Sequence, residues 1–465
     1  MLLHAGLFDW EDWAPLLRAG TYAEAFLEDS SGCSLHVEDG ELSEVAAGSE
    51  RGIGLRYLHG PGPSGEPLVV HGCLNGLDLG AARALAGRLG AGLPPLAARR
   101  PRALRTRTAL VRRPPSSVPL EEKVSLLLSV DRALRREFPH VAQVDLVYAE
   151  REKRCGVLNS EGDHALFDRI GASFSVSVTV RRDGVLQTGQ ESLGGLLGFE
   201  QFEDGSPLRA GRRAARCAVE KLSAPVARAG EMPVLLASSA GGTFVHEAIG
   251  HSLEADHVQE GTSPHYAGKL GRPVAPEFLT IVDDPTLPFA RGSYPFDDEG
   301  RPAEATAAIR GGILCDYLYD RACAMKDGRA SNGHGRRESF RHRPIPRMSN
   351  LYIAPGKHDP AAMLKGLDKG LLVTKMGGGQ VNTATGEFVF AVDEGFWVEG
   401  GVVRHRVRDA NMLGVGPEVL RSIDKLGWDA GWGIGTCGKD GQGVPVSDGQ
   451  PTMSIPKLLI GGRDS

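Results

Sequence analysis

The chain has 465 residues, and 53 basic against 58 acidic side chains give a net charge of −5. This balance provides no general positive field, so direct binding to nucleic acid or to a membrane surface is not expected. A hydrophobic fraction of 41% with 24% charged residues excludes a mostly disordered chain. The length allows roughly two to three domains.

Glycine and cysteine usage indicates the type of fold and the cellular compartment. The 62 glycines often fall in short runs between apolar stretches, a spacing typical of tight turns in a β-rich fold. The seven cysteines are scattered without CxxC spacing, which predicts free thiols and favours a cytoplasmic protein. Residues 1–8 lack a secretory signal pattern, and no run approaches about 18 apolar residues, so no transmembrane helix is expected.

The first half of the chain predicts a mixed α/β domain. Apolar residues at helical spacing predict three helices, and alternating or β-rich patterns predict the strands between them. The predicted helices are 78–93, 120–138 and 209–222, and the predicted strands are 22–39, 52–58, 66–77, 141–150 and 172–185. The basic, proline-rich stretch 99–119 is predicted to be a solvated connector rather than a nucleic-acid arm.

The second half predicts a β-rich domain that carries the chemistry. Residues 223–231 have the composition of a boundary, so we predict one domain over 1–225 and another over 226–465. Predicted strands are 233–238, 278–282, 312–319, 350–354, 387–392 and 396–403, with helical segments starting near Thr243 and at 360–370 and 417–426. The expected fold class is therefore α/β (α+β) with two domains.

The segment with the clearest chemistry contains His246, Glu247 and His251. Imidazoles are common zinc ligands, and a glutamate beside a ligand can take a proton from the attacking water. On a regular α-helix, positions i and i+5 diverge by about 140°, so His246 and His251 would face apart. They can share a metal only if the helix widens. Gly250 offers the weak point, and we predict a π-type distortion there.

The His-Glu-His pattern alone leaves the third ligand open. A metal site needs a further protein ligand, and a catalytic metal also keeps an open position. Candidates are Glu254, Asp256, His257, His265, His334, His342 and Cys437. Sequence spacing does not choose among them, and a partly buried histidine on an amphipathic helix is the structural alternative.

Four segments carry a resemblance to a known family. They are HEAIGHSLEAD at 246–256, NGHGRRESFRHRPIPRMSN at 332–350, GGGQVNTATGEFVF at 377–390 and GTCGKDGQGVPVSDGQPT at 435–452. The chain resembles the TldD side of the TldD/PmbA family of gyrase modulators, also called peptidase family U62, over nearly its whole length. PmbA-like partners are similar in fold but lack the HExxxH motif and its cysteine.

The resemblance implies a zinc metalloprotease with one zinc per chain. His246, His251 and Cys437 would be ligands and Glu247 the general base. It also implies a dimer, either with a PmbA-like paralogue or with a second copy, and an unfolded or extended peptide as substrate. The alternative is a non-catalytic protein acting on gyrase or on toxin–antitoxin components, and Fe²⁺ or Mn²⁺ is an alternative metal.

Two further segments are candidates for binding substrate. Residues 377–382 (Gly377, Gly378, Gly379, Gln380, Val381 and Asn382) would accept an extended peptide by main-chain pairing, or else form a bulge or tight hairpin. His334, Arg336 and Arg337 would contact a substrate carboxylate or oxyanion, or else belong to structural salt bridges. A P-loop and a GxSxG motif are absent, and the two GxGxxG matches lack the context of a dinucleotide site.

Overall fold

The computed structural model describes residues 9–60, 65–100 and 103–462, so the prediction about a signal in residues 1–8 lies outside the described residues. The first half forms one seven-stranded sheet, in the order β3-β2-β1-β5-β6-β4 with β7 beside β6. Its strands are β1 Tyr22–Glu38, β2 Glu41–His59, β3 Leu68–Asn75, β4 Arg105–Arg107, β5 Val141–Asn159, β6 His164–Arg182 and β7 Val185–Gly195. The helices are α1 Trp10–Trp13, α2 Leu79–Leu89, α3 Leu120–Glu137 and α4 Ser206–Leu222.

Helices α3 and α4 cover one end of this sheet because their apolar faces pack against its apolar side chains. Leu127, Val130 and Leu134 of α3 are buried with the alanines of α4 against the apolar side of β5 and β6. Fully burying one leucine of this kind contributes roughly 1.5–3 kcal/mol. Gly189 of β7 allows the close approach of α4, since a Cβ there would meet the carbonyl of Ala214. A second cluster packs α2 against β1–β3.

The second half contains two larger sheets and a two-stranded ribbon. Their strands are β8 Gly230–Leu236, β9 Ile281–Asp283, β10 Thr306–Arg310, β11 Ile313–Leu314, β12 Gly335–Arg336, β13 Ile345–Pro346, β14 Asn350–Ile353, β15 Lys369–Val381, β16 Glu387–Glu399, β17 Val402–Val407, β18 Ala410–Val415, β19 Lys425–Leu426, β20 Gly431–Lys439, β21 Gln442–Gln450 and β22 Met453–Gly461. The helices are α5 Thr243–Val245, α6 Ala255–Gln259, α7 Arg321–Lys326, α8 Pro360–Lys365 and α9 Gly416–Ser422.

These two sheets enclose the segment with the His-Glu-His motif. One has the order β11-β10-β9-β14-β21-β20, so β20 is an edge strand. The other has the order β15-β8-β22-β18-β16-β17, and β15 also pairs with β16, which closes five strands into a ring. A single apolar cluster joins both sheets to Val245, Ile249 and Leu253. The motif is therefore held between two sheets.

The predicted fold class is confirmed, while several strand boundaries were wrong. Residues 312–319 form a strand only at Ile313–Leu314, and the two strands predicted between 387 and 403 are mainly one continuous strand, β16. Strands β20–β22 were not predicted; β20 contains four glycines, and glycine has a low intrinsic preference for strands. Within the described residues, the strands of 22–195 pair only with each other. The division at 225/226 stays a prediction.

No helix in the described part of the chain combines the length and apolarity needed to cross a bilayer. All seven cysteines lie in the described ranges, and none of them forms a disulfide there.

Candidate metal centre

A tight turn at Gly241 and Gly242 leads the chain from β8 into the His-Glu-His segment. Gly241 has φ +74°, a left-handed conformation that favours glycine. A Cβ on Gly242 would collide with the backbone of Gly449, so this turn lies directly against β21. The Gly242 N–H donates to Asp448 Oδ1 at 3.0 Å, and the Gly242 carbonyl accepts from His246 N–H at 2.9 Å. The start of the motif is thus anchored to the neighbouring sheet.

The motif itself forms a π turn over His246–Gly250, followed by a 3₁₀ turn over His251–Leu253. The His251 N–H donates to the carbonyl of His246, five residues earlier. This widening returns positions i and i+5 to one face, and the two imidazole rings lie 5.3 Å apart between centroids. The predicted distortion is confirmed. Gly250 lets Met348 and Leu351 pack directly against this turn, since a Cβ would lie 2.7 Å from Leu351 Cδ2 and would also strike Met348.

Strand β20 brings Cys437 to the two histidines. Glycines at 431 and 433 let β20 approach the turn before the motif: a Cβ at Gly431 would meet Ser238, and one at Gly433 would lie 2.5 Å from Asp448 Oδ1. Cys437 Sγ lies 3.5 Å from His251 Nε2. One ligand atom from each of His246, His251 and Cys437 lies within 4.8 Å of the others.

The three side chains are buried and interact electrostatically. Burial opposes the thiolate of Cys437, but hydrogen bonds with His246 and His251 outweigh it and lower the pKa of the thiol to about 5. Burial disfavours protonated His246, yet its contact with Cys437 raises the pKa of that imidazole. Glu254 and Cys437 likewise raise the pKa of His251 against the effect of burial.

These residues fit a zinc ion. His246 Nδ1 is buried and has no hydrogen-bond partner among the described residues, and Cys437 favours the thiolate form that metal binding requires. Two imidazoles and one thiolate are a donor set that suits Zn²⁺, and three protein ligands leave a fourth position open.

Glu247 lies at the rim of this cluster. Its side chain keeps 33% of its exposure, whereas that of His251 keeps 11%. Its Oε2 lies 4.0 Å from His251 Nε2. The carboxylate therefore stands beside the donor cluster and within reach of a solvent molecule.

Behind His251 lies a buried chain of charged groups that sequence reasoning did not assign this role. Glu254 Oε2 lies 3.0 Å from His251 Nδ1, and Lys439 Nζ lies 3.1 Å from the same carboxylate. Lys439 also donates to Asp256 at 2.7 Å. Burial opposes the charge of Glu254, but Lys439 and His251 outweigh it and hold its pKa below the ordinary value. The contact leaves Nε2 of His251 as the nitrogen that faces Cys437.

The other histidines proposed as ligands lie in separate contacts. His257 Nδ1 lies 3.0 Å from Thr262 Oγ1, His265 Nε2 lies 2.9 Å from the carbonyl of Thr385, and His342 Nδ1 contacts Ser339. His251, Glu254 and His257 form a second possible donor group, but Glu254 is already engaged by Lys439. Glu254 and Lys439 are close in sequence to His251 and Cys437, respectively, although no spacing rule joins the two.

The two substrate-binding candidates lie in different places. Gly377 and Gly379 belong to β15, where a Cβ would meet Asp393 and Phe390 of β16, whereas a Cβ at Gly378 would meet no described atom within 4 Å. Gln380 and Val381 end the strand, and Asn382 begins the turn after it. Among the described residues, the segment 376–381 of β15 pairs only with β16, and β15 also contacts the π turn.

His334, Arg336 and Arg337 are buried and have structural partners. His334 Nε2 lies 3.0 Å from Thr306 Oγ1, and Arg336 donates to the carbonyl of Pro445 at 2.8 Å. Arg337 forms an ion pair with Glu24 of β1. The structure does not bring them into the cluster around Cys437, and their role in substrate binding stays a prediction.

Comparisons with known proteins agree with this fold. Residues 23–62 match PmbA/TldA metallopeptidase domain 1, residues 113–222 match the central domain and residues 229–462 match the C-terminal domain. The matching family models and the names of curated relatives support a metallopeptidase. The chain belongs to the PmbA/TldD family.

Individual relatives cover most of the chain. A protein of Haemophilus influenzae named metalloprotease TldD homolog is 34% identical over 95% of this chain and 93% of its own length. A zinc metalloprotease TldD homolog of Saccharolobus solfataricus is 30% identical, covering 74% of this chain and 76% of that protein. The solved structure of TldE from Thermococcus kodakarensis has the same fold, with a TM-score of 0.70 at 18% identity over 95% of this chain and 97% of that one.

The contact between Glu254 and His251 predicts a measurable effect on metal affinity. Glu254→Gln should weaken zinc binding roughly 10- to 100-fold, because the carboxylate that orients the imidazole loses its charge. Competition with a chromogenic chelator measures this affinity. Asp256→Asn is the matched control, since Asp256 contacts Lys439 but not His251. Equal losses in both variants would show that the effect passes through Lys439 instead.

Proposed function

We propose that the protein is a zinc-dependent peptidase whose zinc is held by His246, His251 and Cys437. The observation that carries the proposal is the π turn, which brings two histidines five residues apart to the same thiolate. When bound, zinc would polarise the scissile carbonyl and lower the pKa of a bound water to about 7.

Glu247 would act as the general base in this site. It is the carboxylate at the rim of the donor cluster and keeps contact with solvent. It would accept a proton from the attacking water and donate that proton to the leaving amine, a role that contributes typically 10²- to 10⁴-fold. The buried Glu254 would hold the His251 ring in place during the reaction.

The proposed substrate is an unfolded or extended peptide that pairs with the free edge of β15. Strand β8 pairs with β15 only at residues 371–373, so the segment 376–381 has β16 on one side and no strand among the described residues on the other. Main-chain pairing at such an edge reads the backbone rather than side chains. The open space beside Gly378 leaves room for a further backbone there.

An N-methyl scan of one cleaved peptide tests this mode of binding. N-methylation removes a backbone donor, and in an extended strand successive N–H groups point to opposite sides. We expect KM to rise at every second position along the peptide and to change little at the positions between. A matched series with the side chains of the same positions changed to Ala should have smaller effects. A scan without alternation would contradict strand pairing.

We further propose a cytoplasmic dimer, formed with a PmbA-like paralogue or with a second copy. The seven free thiols support a reducing compartment. Light scattering of the chain alone and mixed with a PmbA-like paralogue from the same genome separates the two arrangements. A monomer in both samples would contradict a dimer. A protein that carries zinc but cleaves no unfolded peptide, alone or with that partner, would favour the non-catalytic alternative.

A further inference from the structure

A separate cavity of about 210 Å³ lies between the first sheet and the strand pair β20–β21. Thr436, the neighbour of Cys437 in β20, lines it. His246, Glu247, His251 and Cys437 are not among its lining residues. It is distinct from the proposed zinc site.

The walls of this cavity are strongly cationic. Six cationic side chains line it, and Glu338 is the acidic side chain among its lining residues. The cations are Arg151, Lys153, Arg169, Arg291, Arg336 and Arg337. The Glu338 carboxylate is engaged by the Gly443 N–H, which donates to it at 2.6 Å.

Four of the six cations have carboxylates behind them. Lys153 and Arg151 lie 3.0 and 3.4 Å from Glu28, and Arg169 lies 3.0 Å from Asp298. Arg337 pairs with Glu24, which also binds Arg56. Glu24, Glu28 and Asp298 therefore already compensate much of the charge of these four cations.

Arg291 and Arg336 have no carboxylate partner within 4.0 Å among the described residues. Arg291 Nε donates to the carbonyl of Gly435 at 3.2 Å, and Arg336 donates to the carbonyl of Pro445 at 2.8 Å. Burial lowers the pKa of both guanidinium groups, that of Arg336 to about 10.

Free donors accompany this unbalanced charge. Arg336 is only 1% exposed, and its Nε has no hydrogen-bond partner in the described structure; the same holds for Nε of Arg169. Both guanidinium groups lie over the ring of Tyr294, at 5.1 and 5.2 Å from its centroid, which fixes their positions. Buried charges are normally paired, and Arg169 has such a partner in Asp298, whereas Arg336 has no carboxylate within 4.0 Å among the described residues.

We propose that this cavity is a binding site for a small anion bearing a phosphate or carboxylate group. Guanidinium groups match the planar and bidentate geometry of these oxyanions. The cavity is smaller than the roughly 300–1,000 Å³ of sites for drug-sized ligands, so it suits a free oxyanion or a short dicarboxylate. The anion would neutralise Arg291 and Arg336 where the first sheet meets β20.

Isothermal titration of the full-length chain with inorganic phosphate and, separately, with succinate tests the site at constant ionic strength. We expect saturable binding of one anion per chain, weakened at least about tenfold in Arg291→Gln and in Arg336→Gln. Arg310→Gln, at an exposed arginine of β10, should bind like the wild type. The better of the two ligands identifies the phosphate or the carboxylate source.

The two variants also separate this site from the zinc centre. Both keep His246, His251 and Cys437, so phosphate bound by zinc would persist in them. Arg291 is less buried than Arg336, so its substitution should disturb folding less. Anion binding can therefore still be measured in Arg291→Gln if Arg336→Gln does not fold. No saturable binding of either anion up to about 10 mM would overturn the proposal, as would unchanged affinity in a folded Arg291→Gln protein.

Discussion

With the proposed mechanism, replacing Glu247 by Gln should greatly slow peptide hydrolysis without lowering the zinc content of the protein. Glutamine keeps the size of the side chain but cannot accept the proton of the attacking water, so kcat should fall roughly 10²- to 10⁴-fold. The three proposed ligands are unchanged, and Glu247 lies at the rim of the donor cluster. We therefore expect about one zinc per chain in both proteins.

The measurement pairs a fluorogenic peptide assay with elemental analysis of the same preparations. Glu260→Gln is the control, because Glu260 is an exposed glutamate at the end of α6. It should retain wild-type activity and zinc. Full peptidase activity in a zinc-loaded Glu247→Gln protein would remove Glu247 from the mechanism.

The second large effect is on stability, at the buried ion pairs between the two halves of the chain. Glu24 of β1 is 1% exposed, accepts a hydrogen bond from Tyr22 at 2.7 Å and pairs with Arg56 at 2.9 Å and with Arg337. Glu24→Gln removes the charge and leaves two buried guanidinium groups less compensated. We expect the free energy of unfolding to fall by about 3–5 kcal/mol.

Urea denaturation followed by circular dichroism measures this loss. The control is Glu50→Gln, since Glu50 of β2 forms an exposed pair with Arg341 at 3.6 Å. An exposed pair contributes roughly 0–1 kcal/mol, so the control should unfold close to the wild type. Similar midpoints for both variants would show that the Glu24 network does not hold the two halves together.

The sequence was most informative where the local pattern determines the structure. Helices α2, α3 and α4 follow from apolar spacing, and α3 was predicted to within a residue at each end. The π turn follows from geometry, because His246 and His251 are five residues apart and Gly250 lies between them. These features depend on residues close to each other in the chain.

Contacts between residues that are far apart in the chain could not be predicted from local sequence patterns. His251 and Cys437 are 186 positions apart, no local rule predicts their contact, and only the family resemblance linked them. Strand β20 was missed because its alternating glycines lower strand propensity, yet those glycines allow its close approach to the motif. The arginine-rich segment 332–350 indicates substrate contacts or structural salt bridges, but its pattern does not identify Glu24 of β1 as the buried partner of Arg337.

Zinc content tests the central claim most directly. Wild type, Cys437→Ala and Cys155→Ala would be purified in parallel without added metal and measured by elemental analysis. Cys155 is the control, because it is a fully buried cysteine of β5 outside the donor cluster. The account predicts about one zinc per chain in wild type and Cys155→Ala and its loss in Cys437→Ala. A full zinc complement in Cys437→Ala would contradict it.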